Sequence, residues 1–290
     1  MNIAEFNRKT IPDLQAMGFE FHDFTKPVYK YTSIESAKKI FTNKSVLFRT
    51  PNSFNDPFEF HSAFVDFNAS LFQYRQFALK ILVNNPKYKD NPSLLMKDMA
   101  NYSRKDFIEG FKKADELERN SALLFCTSLS FMKVLMWSHY AEKHTGVCIG
   151  LKILPVDNNL MTLKVKYSDK IEPQKYFSVD NKSFSALIPK MFTKAKEWEY
   201  EEEVRTLIAT NEHIPNDGAL EVGLRDIQIC ELYYGIKTPE EQIQEIESIL
   251  KERKYPIGKK GRMKMRQDAF AIYVRSEEHT SELQSQSNLV

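Results

Sequence analysis

YKYTSIESAKKIFTNKSVLF, residues 29–48, contains a strand, a helix and a second strand in close succession. Residues 29–31 and 46–48 have the aromatic and β-branched composition that is typical of strands. Between them, Thr32 and Glu35 have the spacing of a capping box, which predicts a helix that runs to about Asn43. This segment is therefore predicted to form a strand–helix–strand unit.

The remaining elements mix strands and helices without a regular alternation. Further strands are predicted at residues 123–126, 147–151, 163–167, 204–209 and 227–234, and further helices at about 130–144, 182–197 and 238–253. Residues 69–120 have a helical pattern, and strand signals resume on both sides, which indicates a helical insertion. Because no strand–helix–strand rhythm repeats, we predict the α+β class, with a mixed or antiparallel sheet and flanking helices.

The last residues, RSEEHTSELQSQSNLV at 275–290, break off from the strand-like residues 269–274 and resemble a translated sequencing adapter. A segment of this kind is set aside when the fold is considered. We therefore predict a single α+β domain over residues 1–274 and a non-native, disordered tail over residues 275–290.

Composition narrows the classes of protein to consider. The formal net charge of the 290 residues is only +2, which gives no global electrostatic argument for nucleic-acid binding. No apolar run approaches the roughly 20 residues of a membrane span, and residues 1–10 lack signal-peptide features. Cys126, Cys148 and Cys230 are scattered, which is typical of free thiols in a reducing compartment. The sequence predicts a cytoplasmic protein without a membrane partner, and it points to no particular protein partner.

Charged and aromatic residues are most concentrated in KAKEWEYEEEVR, residues 194–205. If a strand begins by about Tyr200, its two-residue period places Glu201, Glu203 and Arg205 on one face. Carboxylates beside a guanidinium can hold a ribose diol, stabilise a developing cation or act as acid and base. If the segment is still helical, Glu201 and Arg205 form an ordinary ion pair. A functional cluster and a structural ion network both remain open at this point.

A second polar group of residues lies in FNDPFEF, residues 54–60. Asn55, Asp56 and Glu59 stand between aromatic side chains, so they either contact a ligand or form a turn that Asp56 caps. His139 and His144 are five residues apart and do not share a helical face, which argues against zinc ligation. The sequence has neither a Walker loop nor a GxGxxG motif, and no metal site is predicted.

Several of these segments together resemble a bacterial family, the domain-of-unknown-function family 2971. The resemblance is carried by YKY at 29–31, FNDPFE at 54–59, CTS at 126–128, MWSHY at 136–140, HTGVCIG at 144–150 and WEYEEEVR at 198–205. They stand in the family's order between about residues 29 and 235. The family name implies no activity.

A more distant resemblance is to the ADP-ribosyltransferase layout, with its strand–helix–strand opening, its central strand ending in Thr-Ser and its late Glu-x-Glu. This resemblance implies that Glu203 is the catalytic carboxylate and that Glu201 orients the acceptor. The chain departs from that layout because its first strand has no clear Arg or His and because Arg205 follows the Glu pair directly. The resemblance further implies that Lys30 or Tyr31 lines the NAD site and that Ser128 supports it. With Asn55, Asp56, Trp198 and Arg205 from the two polar segments described above, these are the predicted substrate-binding residues.

Three functions follow as hypotheses. The first is an NAD-using transferase or NAD hydrolase that acts as a toxin or in phage defence, with NAD as its substrate and a small-molecule nucleotide as its partner. The second is a binding module without chemistry. The third is a metal-dependent nuclease that uses Asp56, Glu59, Glu201 and Glu203. If the protein is an enzyme, we expect Glu201, Glu203 and the loop at 54–59 to meet at one pocket. If these residues have a purely structural role, we expect Glu–Arg pairing inside the packed core.

Overall fold

The computed structural model describes residues 12–154, 160–177, 188–208, 214–215 and 217–276, and the fold is reported for these residues. Its main feature is a mixed sheet of ten strands with helices around it, so the predicted α+β class is confirmed. Most neighbouring strands in this sheet are antiparallel, whereas β12 and β13 run parallel. The strands of the main sheet are β1 (Val28–Thr32), β2 (Ser45–Arg49), β4 (Leu123–Ser128), β5 (Val147–Ile153), β6 (Leu160–Lys164), β10 (Glu203–Ile208), β11 (Ala219–Gly223), β12 (Ile227–Tyr234), β13 (Lys259–Met265) and β14 (Ile272–Ser276).

The strand order is β11-β2-β4-β1-β5-β12-β13-β14, with β10 beside β4 and β6 beside β10. Four shorter strands form two small sheets, in which β3 (Val65–Asp66) pairs with β8 (Gln174–Lys175) and β7 (Lys166–Ser168) pairs with β9 (Thr193–Ala195). The helices are α1 (residues 12–16), α2 (Ile34–Asn43), α3 (Leu71–Leu82), α4 (Pro86–Lys89), α5 (Pro92–Asn101), α6 (Arg104–Ser121), α7 (Val134–Tyr140), α8 (Ile188–Phe192) and α9 (Glu240–Glu252).

The two faces of the sheet bury different sets of residues because side chains alternate along each strand. On one face, α2 and α9 pack against the sheet, and Phe41 and Ile246 lie in the same apolar cluster as Phe125 and Val204. On the other face, Leu124 packs with residues of α8. Burial of such side chains contributes about 1.5–3 kcal/mol each, so this alternation fixes which face of β4 and β10 carries the polar residues.

The sheet divides at β4. Along one edge, β4 pairs with β10 over its full length, from Leu123 opposite Ile208 to Ser128 opposite Glu203. Along the other edge, β1 meets β4 only at Ser128, and β2 meets it only at Leu124. Between these two points the carbonyl oxygen of Cys126 accepts a hydrogen bond from Lys30 Nζ at 3.0 Å instead of a backbone N–H. The strands β1 and β2 therefore leave a gap in the sheet.

The predicted helical insertion over residues 69–120 is confirmed as four helices, α3 to α6. Tyr74, Tyr88, Leu95 and Phe107 form an apolar cluster within it. A buried ion pair between Asp115 of α6 and Lys190 of α8 connects the insertion to the rest of the fold. The assignment of residues 1–274 to a single domain stays a prediction.

Several boundaries differ from those predicted. The helix predicted at about 130–144 is shorter, since α7 covers only Val134–Tyr140, and the strand predicted at 163–167 is divided between β6 and β7. The cap of α2 is Ser33, which accepts a hydrogen bond from the Ser36 N–H, so the helix begins one residue later than the Thr32 capping box implies. The helix predicted at 182–197 is wrong beyond Phe192, where β9 and a 3₁₀ helix (Lys196–Glu201) follow; residues 182–187 lie outside the described residues.

At the C-terminal end, β14 extends through Ser276, two residues into the predicted tail, and residues 277–290 lie outside the described residues. Among the helices of the described part, none is long and apolar enough to cross a membrane.

Candidate active site

Glu203 and Arg205 lie two residues apart on β10 and face the same side of the sheet, as predicted. Glu201 does not belong to the strand. It ends the 3₁₀ helix, and Glu202 between the two glutamates has the left-handed conformation, with φ 43°. The side chains of Glu201 and Glu203 still lie close together. The kink of the backbone at Glu202 brings them there, and not the two-residue period of a strand.

Five side chains form a buried ion network, which we call the carboxylate cluster: Glu59, Lys194, Glu201, Glu203 and Arg205. None of them is more than 5% exposed. The cluster contains three carboxylates and two cations, so it carries one excess negative charge when every group is ionised. Burial of unpaired charge is costly, which explains why each carboxylate contacts at least one cation.

Arg205 holds Glu203 with two hydrogen bonds, from Nε to Oε1 at 2.9 Å and from Nη2 to Oε2 at 3.0 Å. The same Nη2 lies 2.9 Å from Glu59 Oε2, an ion-pair distance without the alignment of a hydrogen bond. Its Nη1 donates to the Met191 carbonyl at 2.8 Å, and the guanidinium lies 5.3 Å from the Phe54 ring centroid. The guanidinium is therefore fixed, and it fixes Glu203 in turn.

Lys194 lies at the centre of the three carboxylates. Its Nζ is 2.6 Å from Glu201 Oε2, 3.1 Å from Glu59 Oε1 and 3.4 Å from Glu203 Oε2. The Trp198 ring lies over this ammonium, with its centroid 4.5 Å from Nζ, a cation–π distance. Lys194 belongs to the short strand β9, which pairs with β7 and so holds the ammonium in place.

The two glutamates of the Glu-x-Glu pair have opposite pKa shifts. Burial raises the pKa of Glu203. The positive charges of Arg205 and Lys194 have the larger effect, and they lower this pKa to about 2. For Glu201, burial and the neighbouring charge of Glu203 raise the pKa above its ordinary value, against the effect of Lys194. Glu203 is therefore a fixed charge at neutral pH, whereas Glu201 is the better proton acceptor. Pairs whose environments separate their pKa values in this way are typical of acid–base sites.

A cavity of about 670 Å³ opens beside the cluster, at the gap between β1 and β2. All five cluster residues line it, together with Lys30, Tyr31, Asn55, Cys126 and Tyr140. Tyr140 connects its walls, because its hydroxyl donates to Glu201 Oε1 at 2.7 Å and accepts from Asn55 Nδ2 at 3.2 Å. Glu201, Glu203 and the loop at 54–59 thus meet at one pocket.

Residues 136–206 match the family described as Protein of unknown function (DUF2971). This match confirms the family resemblance over that segment, which contains Tyr140, Lys194, Glu201, Glu203 and Arg205 but not Glu59 or Lys30. Neither a curated protein nor a solved structure matches the chain.

Four predicted site residues lie at the cavity besides the Glu pair. Lys30 and Tyr31 reach it from β1, Asn55 from the loop at 54–59, and Arg205 from β10. Tyr31 is mostly buried, and its hydroxyl donates to the Ser130 carbonyl at 2.8 Å.

The other three predicted substrate contacts do not line the cavity. Asp56 is buried, and its Oδ1 accepts from the Phe58 N–H at 2.9 Å, which caps the turn of the 54–59 loop. Ser128 is also buried, and its hydroxyl donates to the Glu201 carbonyl at 2.6 Å. Trp198 covers Lys194. These residues therefore shape the site from behind rather than facing a ligand.

Lys194 is the member of the carboxylate cluster that no prediction from the sequence names as a site residue. Within KAKEWEYEEEVR its two lysines appear equivalent, yet Lys194 is buried while Lys196 is exposed. Lys194 lies on β9, whereas Lys196 is the first residue of the 3₁₀ helix that follows, and the sequence predicts one continuous helix over both positions. The sequence predicts Glu59 as a ligand contact, a turn residue or a metal ligand of the nuclease hypothesis, and not as a partner of Lys194 and Arg205.

In that hypothesis, Asp56, Glu59, Glu201 and Glu203 hold a divalent ion. Among the described residues, no group of three or more His, Cys, Asp or Glu side chains is arranged to hold a metal ion. The position where the three carboxylates converge is filled by the Lys194 ammonium, and Asp56 caps the turn of the 54–59 loop without lining the cavity.

Proposed function

We propose that this protein is an enzyme that breaks the bond between nicotinamide and ribose in NAD, and that it transfers the ADP-ribosyl group to water or to another acceptor. The observation that supports the proposal is the convergence of Glu201, Glu203 and the loop at 54–59 on one cavity of about 670 Å³. A volume of this size is within the usual range of small-molecule sites.

The charge of the cluster suits this reaction. When the bond breaks, its electron pair leaves with the nicotinamide nitrogen, and the ribose becomes an oxocarbenium-like cation. The carboxylate cluster has an excess negative charge, and because its side chains are buried that charge is weakly screened and can stabilise a nearby cation strongly. Glu203, ionised because of Arg205 and Lys194, stabilises the cation, and Glu201 accepts the proton that the attacking water or acceptor loses.

An effector that consumes NAD would deplete the cell's supply, which is the basis for proposing a role as a toxin or in phage defence. The acceptor determines whether the protein is a hydrolase or a transferase. A crude lysate offered as a source of acceptors distinguishes the two, because a transferase releases nicotinamide faster when its acceptor is present.

A ligand-binding module without chemistry is the second candidate. It is favoured by the burial of Glu203, which is 5% exposed and has both of its oxygens hydrogen-bonded to Arg205. In that case the cluster stabilises the wall of a binding cavity and no bond is broken.

Glu203→Gln separates the two candidates when nicotinamide release and NAD binding are measured together. Gln keeps the shape of the side chain but removes the charge, so an enzyme should lose about a hundredfold or more in rate while it still binds NAD. Glu199→Gln is the matched control, because Glu199 is exposed and does not line the cavity; it should release nicotinamide at the wild-type rate. The assay is run at a temperature at which the folded state of each variant has been verified.

Each outcome of this experiment has a distinct meaning. NAD binding by the wild-type protein without nicotinamide release, with and without lysate, would support the binding module and contradict the enzyme. Equal rates for wild type and Glu203→Gln would contradict the role of Glu203.

A further inference from the structure

Three basic side chains line the same cavity as the carboxylate cluster. They belong to the strand–helix–strand segment at 28–49, with Lys30 on β1, Lys39 on α2 and Arg49 on β2. We propose that these three residues form an anion subsite that takes the diphosphate of a nucleotide. This inference rests on the proposed function, because it completes the NAD site at the end away from the bond that breaks.

The backbone directs these side chains to the cavity. Along β2, Ser45, Leu47 and Arg49 alternate with the buried Val46 and Phe48, and the first three line the cavity. Because successive side chains of a strand point to opposite faces, Arg49 cannot turn into the core. The same geometry therefore keeps a guanidinium at the opening.

Two of the three cations have no counter-charge in contact. Among the residues that the structure describes, the side chains of Lys39 and Arg49 have no hydrogen-bond or ion-pair partner, and both residues are exposed. Lys30 is half-buried and gives one hydrogen bond to the Cys126 carbonyl, which leaves two of its three N–H donors for a ligand. Free donors at a cavity wall favour a bound anion.

One carboxylate stands on the same side. Glu221 lines the cavity and is exposed, and it accepts a hydrogen bond from Ser45 Oγ at 3.0 Å. The exposed Lys39 and Arg49 outnumber this one carboxylate, so the open end of the cavity is net positive, and Lys30 lies within electrostatic range of both Arg49 and Glu203. The buried end, at the carboxylate cluster, is net negative.

The cavity therefore has two ends of opposite charge. A ligand that matches it has phosphate groups at one end and a positive centre at the other. NAD has this distribution, since its diphosphate is separated by a ribose from the positively charged nicotinamide ring. Nicotinamide riboside has the positively charged ring but lacks the diphosphate. A comparison of NAD with nicotinamide riboside therefore separates the contribution of the basic end of the cavity from that of the carboxylate cluster.

The test measures binding of ADP and of inorganic pyrophosphate to the full chain by calorimetry at low and high salt. The double variant Lys39→Ala/Arg49→Ala should weaken both affinities at least tenfold, and the difference should shrink at high salt because exposed charges are screened. The matched control is Lys38→Ala, because Lys38 is the neighbouring residue but pairs with Glu35 and Glu245 and does not line the cavity. It should bind both ligands as wild type does.

The outcomes separate this inference from the function on which it rests. If ADP and pyrophosphate bind and the double variant weakens their binding, but no nicotinamide is released from NAD, the anion subsite is supported and the cleavage of NAD is contradicted. If NAD is cleaved and the double variant has the wild-type KM for NAD, the anion subsite is contradicted and the cleavage of NAD is supported. Failure of wild-type protein to bind either ADP or pyrophosphate at low salt also overturns the subsite.

Discussion

Replacement of Lys194 by Met tests whether the carboxylate cluster is as closely coupled as its distances imply. Lys194 contacts Glu59, Glu201 and Glu203 within 3.4 Å, so the variant leaves three buried carboxylates with Arg205 alone. The excess negative charge of the cluster rises from one to two. Removal of one partner from a buried ion pair costs about 3–5 kcal/mol. For a chain of this size that loss lowers the Tm by roughly 6–20 °C.

The assay is thermal unfolding followed by circular dichroism, with Lys196→Met as the control. Lys196 is two residues away and exposed, and its ion pair with Asp169 spans 3.8 Å. Exposed pairs of this kind contribute about 0–1 kcal/mol, so the control should change the Tm by no more than a few degrees.

A second change and a change of pH sharpen the test. Glu201→Gln added to Lys194→Met returns the excess charge to one, so the double variant should recover part of the lost stability. The loss should also shrink as the pH falls from about 7 towards 5, because burial raises the pKa of Glu59 and Glu201 above ordinary values and both then take up protons more readily in the folded state. A Tm for Lys194→Met equal to that of the Lys196→Met control would refute the coupled cluster.

Two further predictions concern the thiols and the C-terminal residues. In native protein, Cys148 should not react with a thiol reagent and Cys126 should react slowly, because burial raises the pKa of both thiols, while all three cysteines should react after unfolding; a disulfide in unreduced protein would contradict this. Truncation after Ser276 should leave the Tm unchanged if residues 277–290 are the adapter-derived tail that the sequence predicts, and a drop of several degrees would show that they stabilise the fold.

The sequence predicts the fold class and the helical insertion because both depend on local signals. Capping residues, turn residues and the period of apolar positions are read within a few residues of each other, and they place α2 and the insertion correctly. The gap beside β4 could not be predicted, because it depends on which distant strands meet Leu124 and Ser128. Which distant strands pair with each other cannot be predicted from the residues within a short segment of sequence.

At the site, the strand period correctly places Glu203 and Arg205 together. The same reasoning extends the strand back to Glu201, where it is wrong, since no residue type marks the kink at Glu202. It also cannot show that Lys194 is the ammonium between the carboxylates, because Lys194 and Lys196 differ in burial and not in chemistry. Asp56 and Ser128 are predicted to contact the substrate, but the sequence does not show in which direction a side chain points. In the structure both side chains form hydrogen bonds with backbone groups instead.

The kink at Glu202 has a consequence for how the sequences of relatives can vary. Glu202 stands between two buried glutamates, yet its own side chain is at the surface, where it pairs with Lys133. What the position requires is a positive φ, which Gly, Asn and Asp adopt readily and β-branched residues do not. Exchange of Glu202 for Gly or Asn should therefore be neutral in evolution, while Val or Ile would turn Glu201 away from Glu203. The middle letter of the Glu-x-Glu motif is constrained by backbone shape rather than by charge.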